Sequence, residues 1–349
     1  MLSRLGASLL FLTILALGLA YVTDFTFHIP IEKAVRADLS AAASPDRINI
    51  KILEALEKDD IEEADMYADI GKFMNYAIPP DTLRRLDEAH SMTATVVRNT
   101  WDFGTGFVTG QGDSTAGLAG AVTSDLTVVG DVRDIAAEGG KWLAGKDYNE
   151  LIVGLSVLGI AATGLTVATG GGGIIAKAGV SILKAAKRAG KLTTEFATVL
   201  VRMTRDAVNM PALREALRTT DLTDLARTQR VLTDYARGVR GAEIFPVLSR
   251  IGRMNKAVGP AETIRLMKYV KDGESLEDVA LMTERYGTKT RGIIELTGKA
   301  SMRAFKTAFR AVEFVVKYII GFAFWIVGLL AMALMRTVRL FNFGRRANA

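Results

Sequence analysis

The sequence predicts an all-α protein: a helical, membrane-anchored chain with terminal transmembrane helices and a body of helix hairpins. Three observations carry that prediction. Apolar residues recur at helical spacing through most of the 349 residues, and no alternating strand pattern runs at length. Three stretches carry no charge: Leu5–Thr23, Leu151–Ala176 and Tyr318–Met335. The first and last have 19 and 18 residues, close to the roughly 20 helical residues that cross a bilayer core. Finally, the formal charge of +6 conceals two opposed halves. Asp24 to Glu150 holds 12 basic and 23 acidic residues, whereas Lys184 to Arg310 holds 25 basic and 14 acidic. Such a split suits halves that attract each other, or one half that faces an anionic surface.

The N-terminal segment, 1–23, pairs one basic residue (Arg4) with a leucine-rich run. It reads as a transmembrane anchor or a secretory signal, with Gly18-Leu19-Ala20 offering small residues for cleavage. An acidic helical hairpin region, 24–99, follows. Its first helix is expected over Ile31–Ala43. Ser44-Pro45-Asp46 then starts a second helix, with proline at a permitted first-turn position. Ile61–Ala77 forms the third, and Pro79-Pro80-Asp81 starts the fourth over Thr82–Arg98.

Residues 100–147 form a glycine-rich linker region with short helices over Thr115–Val128 and Asp131–Leu143. The apolar region 148–191 reads as two helices, Asn149–Ala168 and Ile174–Ala189, joined by Gly170–Gly173, because four glycines make a poor helix interior and a good bend. The hairpin is either packed in the core or associated with the membrane. Basic helices fill 192–312, over Thr193–Val208, Pro211–Arg218, Leu222–Gly238, Ala242–Lys256, Pro260–Lys271, Leu276–Tyr286, Thr288–Thr297 and Ala300–Val312. The C-terminal transmembrane helix is placed at 313–336 and a basic tail at 337–349. The four arginines that follow the apolar run (Arg336, Arg339, Arg345, Arg346) favour a cytoplasmic side for the tail. The expected location is the bacterial inner membrane with the body on the periplasmic side.

Composition removes several chemistries. The chain has no cysteine, so a disulfide framework, a thiolate nucleophile and a zinc–thiolate site are excluded. Gly110–Gly117 invites a phosphate-loop reading but lacks the Gly-Lys-Ser/Thr continuation. Gly154–Gly159 is one residue too long for a nucleophile elbow. His28 and His90 have no metal-ligand spacing. The basic residues are spread along the helices without interleaved aromatics, which argues against a nucleic-acid partner. No catalytic, cofactor-binding or metal site is assigned. One cluster invites weighing: Asp125, Asp131, Asp134 and Glu138, with Arg133. Carboxylates so spaced could hold a cation or do acid–base work. The favoured alternative is helix capping with a buried Asp–Arg contact.

Two resemblances bear on residues 101–192. Trp101–Gly110, Asp125–Ile135 and Leu183–Leu192 resemble a block of an uncharacterised proteobacterial membrane protein family, which implies no activity. Gly130–Asp134, Gly145–Asp147, the apolar segment and the glycine turn are similar in layout to membrane-active linker regions of bacterial polymorphic toxins. That likeness implies contact with a bilayer.

The functional expectation is a membrane-anchored helical scaffold or interaction protein with no catalytic activity. Its partners are the lipid bilayer, a protein partner or a second copy, and anionic lipid headgroups. The alternatives are a membrane-inserting or pore-forming effector that uses the 151–183 hairpin, and an enzyme built on the Asp125–Glu138 cluster.

Overall fold

The computed structural model describes residues 31–91, 128–169, 172–298 and 300–310, with isolated positions 318, 325, 326 and 328. Every regular element among them is helical. In chain order these are α1 (31–42), α2 (Pro45–Glu57), α3 (Ile61–Phe73), α4 (Pro80–Ala89), α5 (Val128–Leu143), α6 (Glu150–Thr169) and α7 (Gly172–Arg188). There follow α8 (Thr194–Ala207), α9 (Met210–Arg218), α10 (Leu225–Ala236), α11 (Ile244–Leu266), α12 (Gly273–Tyr286), α13 (Lys289–Thr297) and α14 (300–310). A 3₁₀ turn, Met267–Tyr269, follows α11.

The chain divides into two compact units, Met1–Ala41 with Lys299–Ala349, and Ala42–Gly298. In the first, α1 buries Ile31, Val35 and Leu39, one face of a helix at four-residue spacing. Arg36 pairs with Glu32 one turn away at 2.9 Å. In α14, Phe305 is buried and stacks on Phe309 with centroids 6.0 Å apart.

The larger unit holds residues from both charge halves. Its helix starts follow capping chemistry. Ser44 accepts from the Arg47 amide, Asp60 from Glu63, and Thr193 from Phe196. Asp224 caps α10 through the Arg227 amide, so the helix starts at Leu225 and not at the expected Leu222. Asp272 caps α12, and Ser275 returns its hydroxyl to the Asp272 backbone, which closes a capping box. The two helices expected over 242–271 form the two halves of α11. Its interruption falls at Gly259, whose φ of 80° only glycine adopts readily, just before Pro260.

The centre of this unit is the α6–α7 hairpin. Leu151 to Ile160 are all buried, as are Ala176 to Ala186. A helix that is apolar all round needs protein on every side or lipid. Here α5, α7, α8 and α10 surround α6. The central stretch is therefore core along its buried length, and among the described residues no helix is long and apolar enough to cross a membrane. The predicted spans 1–23 and 313–336 lie outside the described residues, apart from isolated positions in the second. The predicted helix Thr115–Val128 also lies outside them, except at its last residue.

Helices α7 and α11 make the most extensive pairing. Gly179 lies against the Leu248 carbonyl and Gly252 against the Ile175 carbonyl, so the two helices run antiparallel. A Cβ at either glycine would sit closer than 3.0 Å to backbone. The two glycines thus permit an approach that no other residue would allow.

Candidate functional site

Two buried ionic clusters in the larger unit bring together charged residues far apart in sequence. The first joins α5 to α7. Asp131 and Asp134 are three residues apart and share a face of α5. Lys177 and Lys184 are seven apart, and Arg188 follows one turn later, so all three share a face of α7. Lys184 Nζ lies 2.8 Å from Asp131 Oδ1 and 2.6 Å from Asp134 Oδ2. Lys177 donates to the second Asp131 oxygen. Arg188 donates to Asp134 Oδ2 at 2.5 Å, and Arg133 lies 3.2 Å from its Oδ1. Ser156 of α6 is 3.4 Å from the Lys184 ammonium. Asp131 and Lys184 are 0 % exposed. Space for the Asp131 carboxylate comes from Gly159 of α6, where any Cβ would collide with it.

Burial pushes the Asp131 carboxyl above the ordinary aspartate range, while Lys184 and Lys177 pull it down. Burial acts on Asp134 in the same sense. There Lys184 and Arg188 outweigh it and hold the carboxyl below its usual range. All four carboxylate oxygens accept from cations, so the cluster is a closed lattice of charge-assisted hydrogen bonds.

The second cluster centres on Arg291 of α13. Its guanidinium donates to Glu63 of α3 at 2.7 Å and to both oxygens of Glu262 of α11 at 3.0 and 3.1 Å. Glu295, one turn on, is 3.5 Å away. Glu295 also accepts from Tyr67 at 2.8 Å, Lys268 at 2.9 Å and Tyr269 at 3.0 Å. Arg265 and Asp60 pair nearby at 3.1 Å. Burial raises the Glu262 carboxyl, with Arg291 opposing. Burial and the Glu295 carboxylate push the Tyr67 and Tyr269 hydroxyls well above the ordinary tyrosine range.

The structure brings Asp131, Asp134 and Arg133 together and separates Glu138. Glu138 accepts from the Asn149 amide at 2.7 Å and from Lys141 at 2.7 Å, bridging α5 to the start of α6. Asp125 lies outside the described residues. Asp134 does meet Arg133, but that side chain is exposed and not the buried contact expected; the dominant partners of these aspartates are Lys177 and Lys184. Both lysines lie in the predicted helix Ile174–Ala189, where the sequence alone assigned them no role. Their seven-residue spacing, set against aspartates three apart, was the available signal. The Arg291 cluster left no such trace, since Glu63 and Arg291 are 228 positions apart. His90, expected to lack a catalytic partner, is exposed and lies 2.9 Å from Asp65. His28 is outside the described residues.

Among the described residues no group of three or more metal-ligating side chains is placed to hold a metal ion. In both clusters each acid faces a cation of another helix, so the arrangement ties helices together. Against known proteins, no family model, no curated protein and no solved structure matches this chain.

Proposed function

We propose that this chain is a bilayer-anchored helical scaffold: a rigid helical body, held at a bacterial inner membrane by its apolar ends, that offers its surface to a protein partner or to lipid headgroups. The observation that carries the reading is the fate of the acidic cluster. Asp131 is wholly buried and Asp134 nearly so, with their oxygens turned to lysine and arginine. Catalytic carboxylates must reach a substrate, and these reach only neighbouring helices.

The burial of the central apolar stretch supports a topology in which 1–23 and 313–336 do the anchoring. The body then lies on one side of the membrane, the periplasmic one if the arginine tail is cytoplasmic. The basic residues of 192–312 suit an anionic surface, whether headgroup or protein.

Carbonate washing of membranes, combined with reporters fused after Glu150, Arg188 and Ala349, tests this. The expected result is full-length protein in the pellet, with the Glu150 and Arg188 reporters on one side and the Ala349 reporter on the other. Protein in the wash, or Glu150 and Arg188 on opposite sides, overturns it.

A further inference from the structure

The α6–α7 hairpin is buried along most of its length, yet large apolar side chains near the end where the two helices join are exposed. Leu165 is 38 % exposed, Ile174 59 % and Ile175 38 %. Isolated surface leucines need no explanation, but three large aliphatics at one tip do.

Three further observations bear on what meets the tip. The Thr163 and Thr166 hydroxyls bond back to the Gly159 and Ala162 carbonyls at 3.0 and 3.1 Å, which removes their demand for water. Gly173 packs so close to the Ala162 carbonyl that a Cβ there would collide with it, so the two helices stay joined up to the tip. The hairpin and α11 contribute only basic charge here. No acidic residue occurs from Leu151 to Thr194, nor from Ile244 to Ala261 on the paired helix α11. Because Gly252 abuts Ile175, the Arg253 and Lys256 side of α11 lies at this end, and both residues are exposed. Arg253 lies 3.7 Å from Glu284 of α12 at the edge of this basic patch.

We infer that this tip inserts into the outer part of an anionic lipid leaflet, with Leu165, Ile174 and Ile175 among the acyl chains and Lys256 and Arg253 at the phosphates. An apolar end with self-satisfied hydroxyls fits hydrocarbon, and a basic rim fits anionic headgroups. The inference rests on the anchored reading, which puts the body beside a bilayer. It differs from pore formation, because only the tip enters lipid and the hairpin keeps its core contacts.

The absence of cysteine permits a single label. The full chain carrying Ile174→Cys with an environment-sensitive fluorophore is reconstituted in vesicles of phosphatidylcholine with phosphatidylglycerol. Gln229→Cys, exposed on α10, is the reference site. Expected is quenching of the Ile174 label by lipids spin-labelled high on the acyl chain and protection from aqueous iodide, with the reverse at Gln229. Adding Lys256→Glu shifts the ratio of lipid to aqueous quenching about fivefold toward the aqueous state. Iodide quenching at Ile174 without lipid quenching overturns the inference. So does quenching by neither agent, which would mean that a second copy or another part of the chain covers the tip. Carbonate washing of the same vesicles separates the two readings. Pelleted protein with an aqueous label removes the tip inference alone, whereas protein in the wash removes anchoring.

Discussion

The Asp131 and Arg291 clusters use the same chemistry in different surroundings. In the first, Asp131 and Lys184 are 0 % exposed and the partners come from two helices of the α5–α7 core. In the second, Arg291 is 4 % exposed, but Glu63 keeps 26 % and Glu295 22 % of its side chain accessible, and three helices meet. A buried ion is stable only while each of its partners remains, because removing one strands a charge that water does not reach. A rim carboxylate that loses its partner turns to water instead. The comparison teaches that solvent access, more than the number of hydrogen bonds, should decide which substitutions hurt.

The sharpest way to break that comparison is Asp131→Ala. It leaves Lys177 and Lys184 in the core with one of their two aspartates gone, and should cost about 3–5 kcal/mol of stability. Denaturant unfolding in detergent, read as a shift in midpoint, measures it. The double variant Asp131→Leu/Lys177→Met removes charge of both signs, leaves Lys184 on Asp134 at 2.6 Å, and should recover a large part of that loss. If it does no better than the single variant, the lattice is not limited by desolvation.

Arg291→Met comes next, at about 2–3 kcal/mol, because part of the stranded charge can reach solvent. Here pH separates the clusters. The Glu262 carboxyl already lies above its unfolded value through burial, and loss of Arg291 removes the main pull downward. A raised carboxyl contributes stability that is present below its unfolded pKa and is lost as pH rises through its folded pKa. The Arg291→Met defect should therefore shrink as pH falls from neutral, as Glu262 takes a proton. The Asp131→Ala defect should not shrink over that range, since acid neutralises none of its buried cations. Asp134 behaves oppositely to Glu262. Its lowered pKa gives stability present above the ordinary aspartate value and lost only as pH falls through the folded one.

Gly159→Ala approaches the first cluster from the third helix. The new methyl meets the Asp131 carboxylate, and either α6 or the lattice must shift. A loss of about 1–3 kcal/mol is expected, the range for overpacking a tight core. Thermal unfolding that is unchanged would show that Asp131 can move without consequence.

How legible these features were in the sequence depends on the range of the interaction. The all-helical class was readable, because caps and breaks act within a few residues: Ser44-Pro45, Thr193 and Gly259-Pro260 mark boundaries in the structure where the sequence placed them. The start expected at Leu222 falls three residues early, because Asp221 and Asp224 both carry capping side chains and the structure uses Asp224. The central apolar stretch was ambiguous between lipid and core, since both ask for the same side chains. Lys177 and Lys184 tilt it toward core, but only once Asp131 is known to face them. The Arg291 cluster depends on the meeting of α3, α11 and α13, which no local pattern encodes.

Glu63→Gln is the smallest change and the most discriminating at the rim. Glu63 is a quarter exposed, and Arg291 keeps the Glu295 neighbour and its Nε–H shared between both Glu262 oxygens when Glu63 loses its charge. Glutamine can still accept the guanidinium proton through its amide oxygen, and water can solvate what remains. A loss under about 1 kcal/mol is expected, the scale of an exposed pair. Set beside Asp131→Ala in the same denaturant series, it spans the predicted range. A Glu63→Gln cost near that of Asp131→Ala would mean that hydrogen-bond number, and not solvent access, ranks the two clusters.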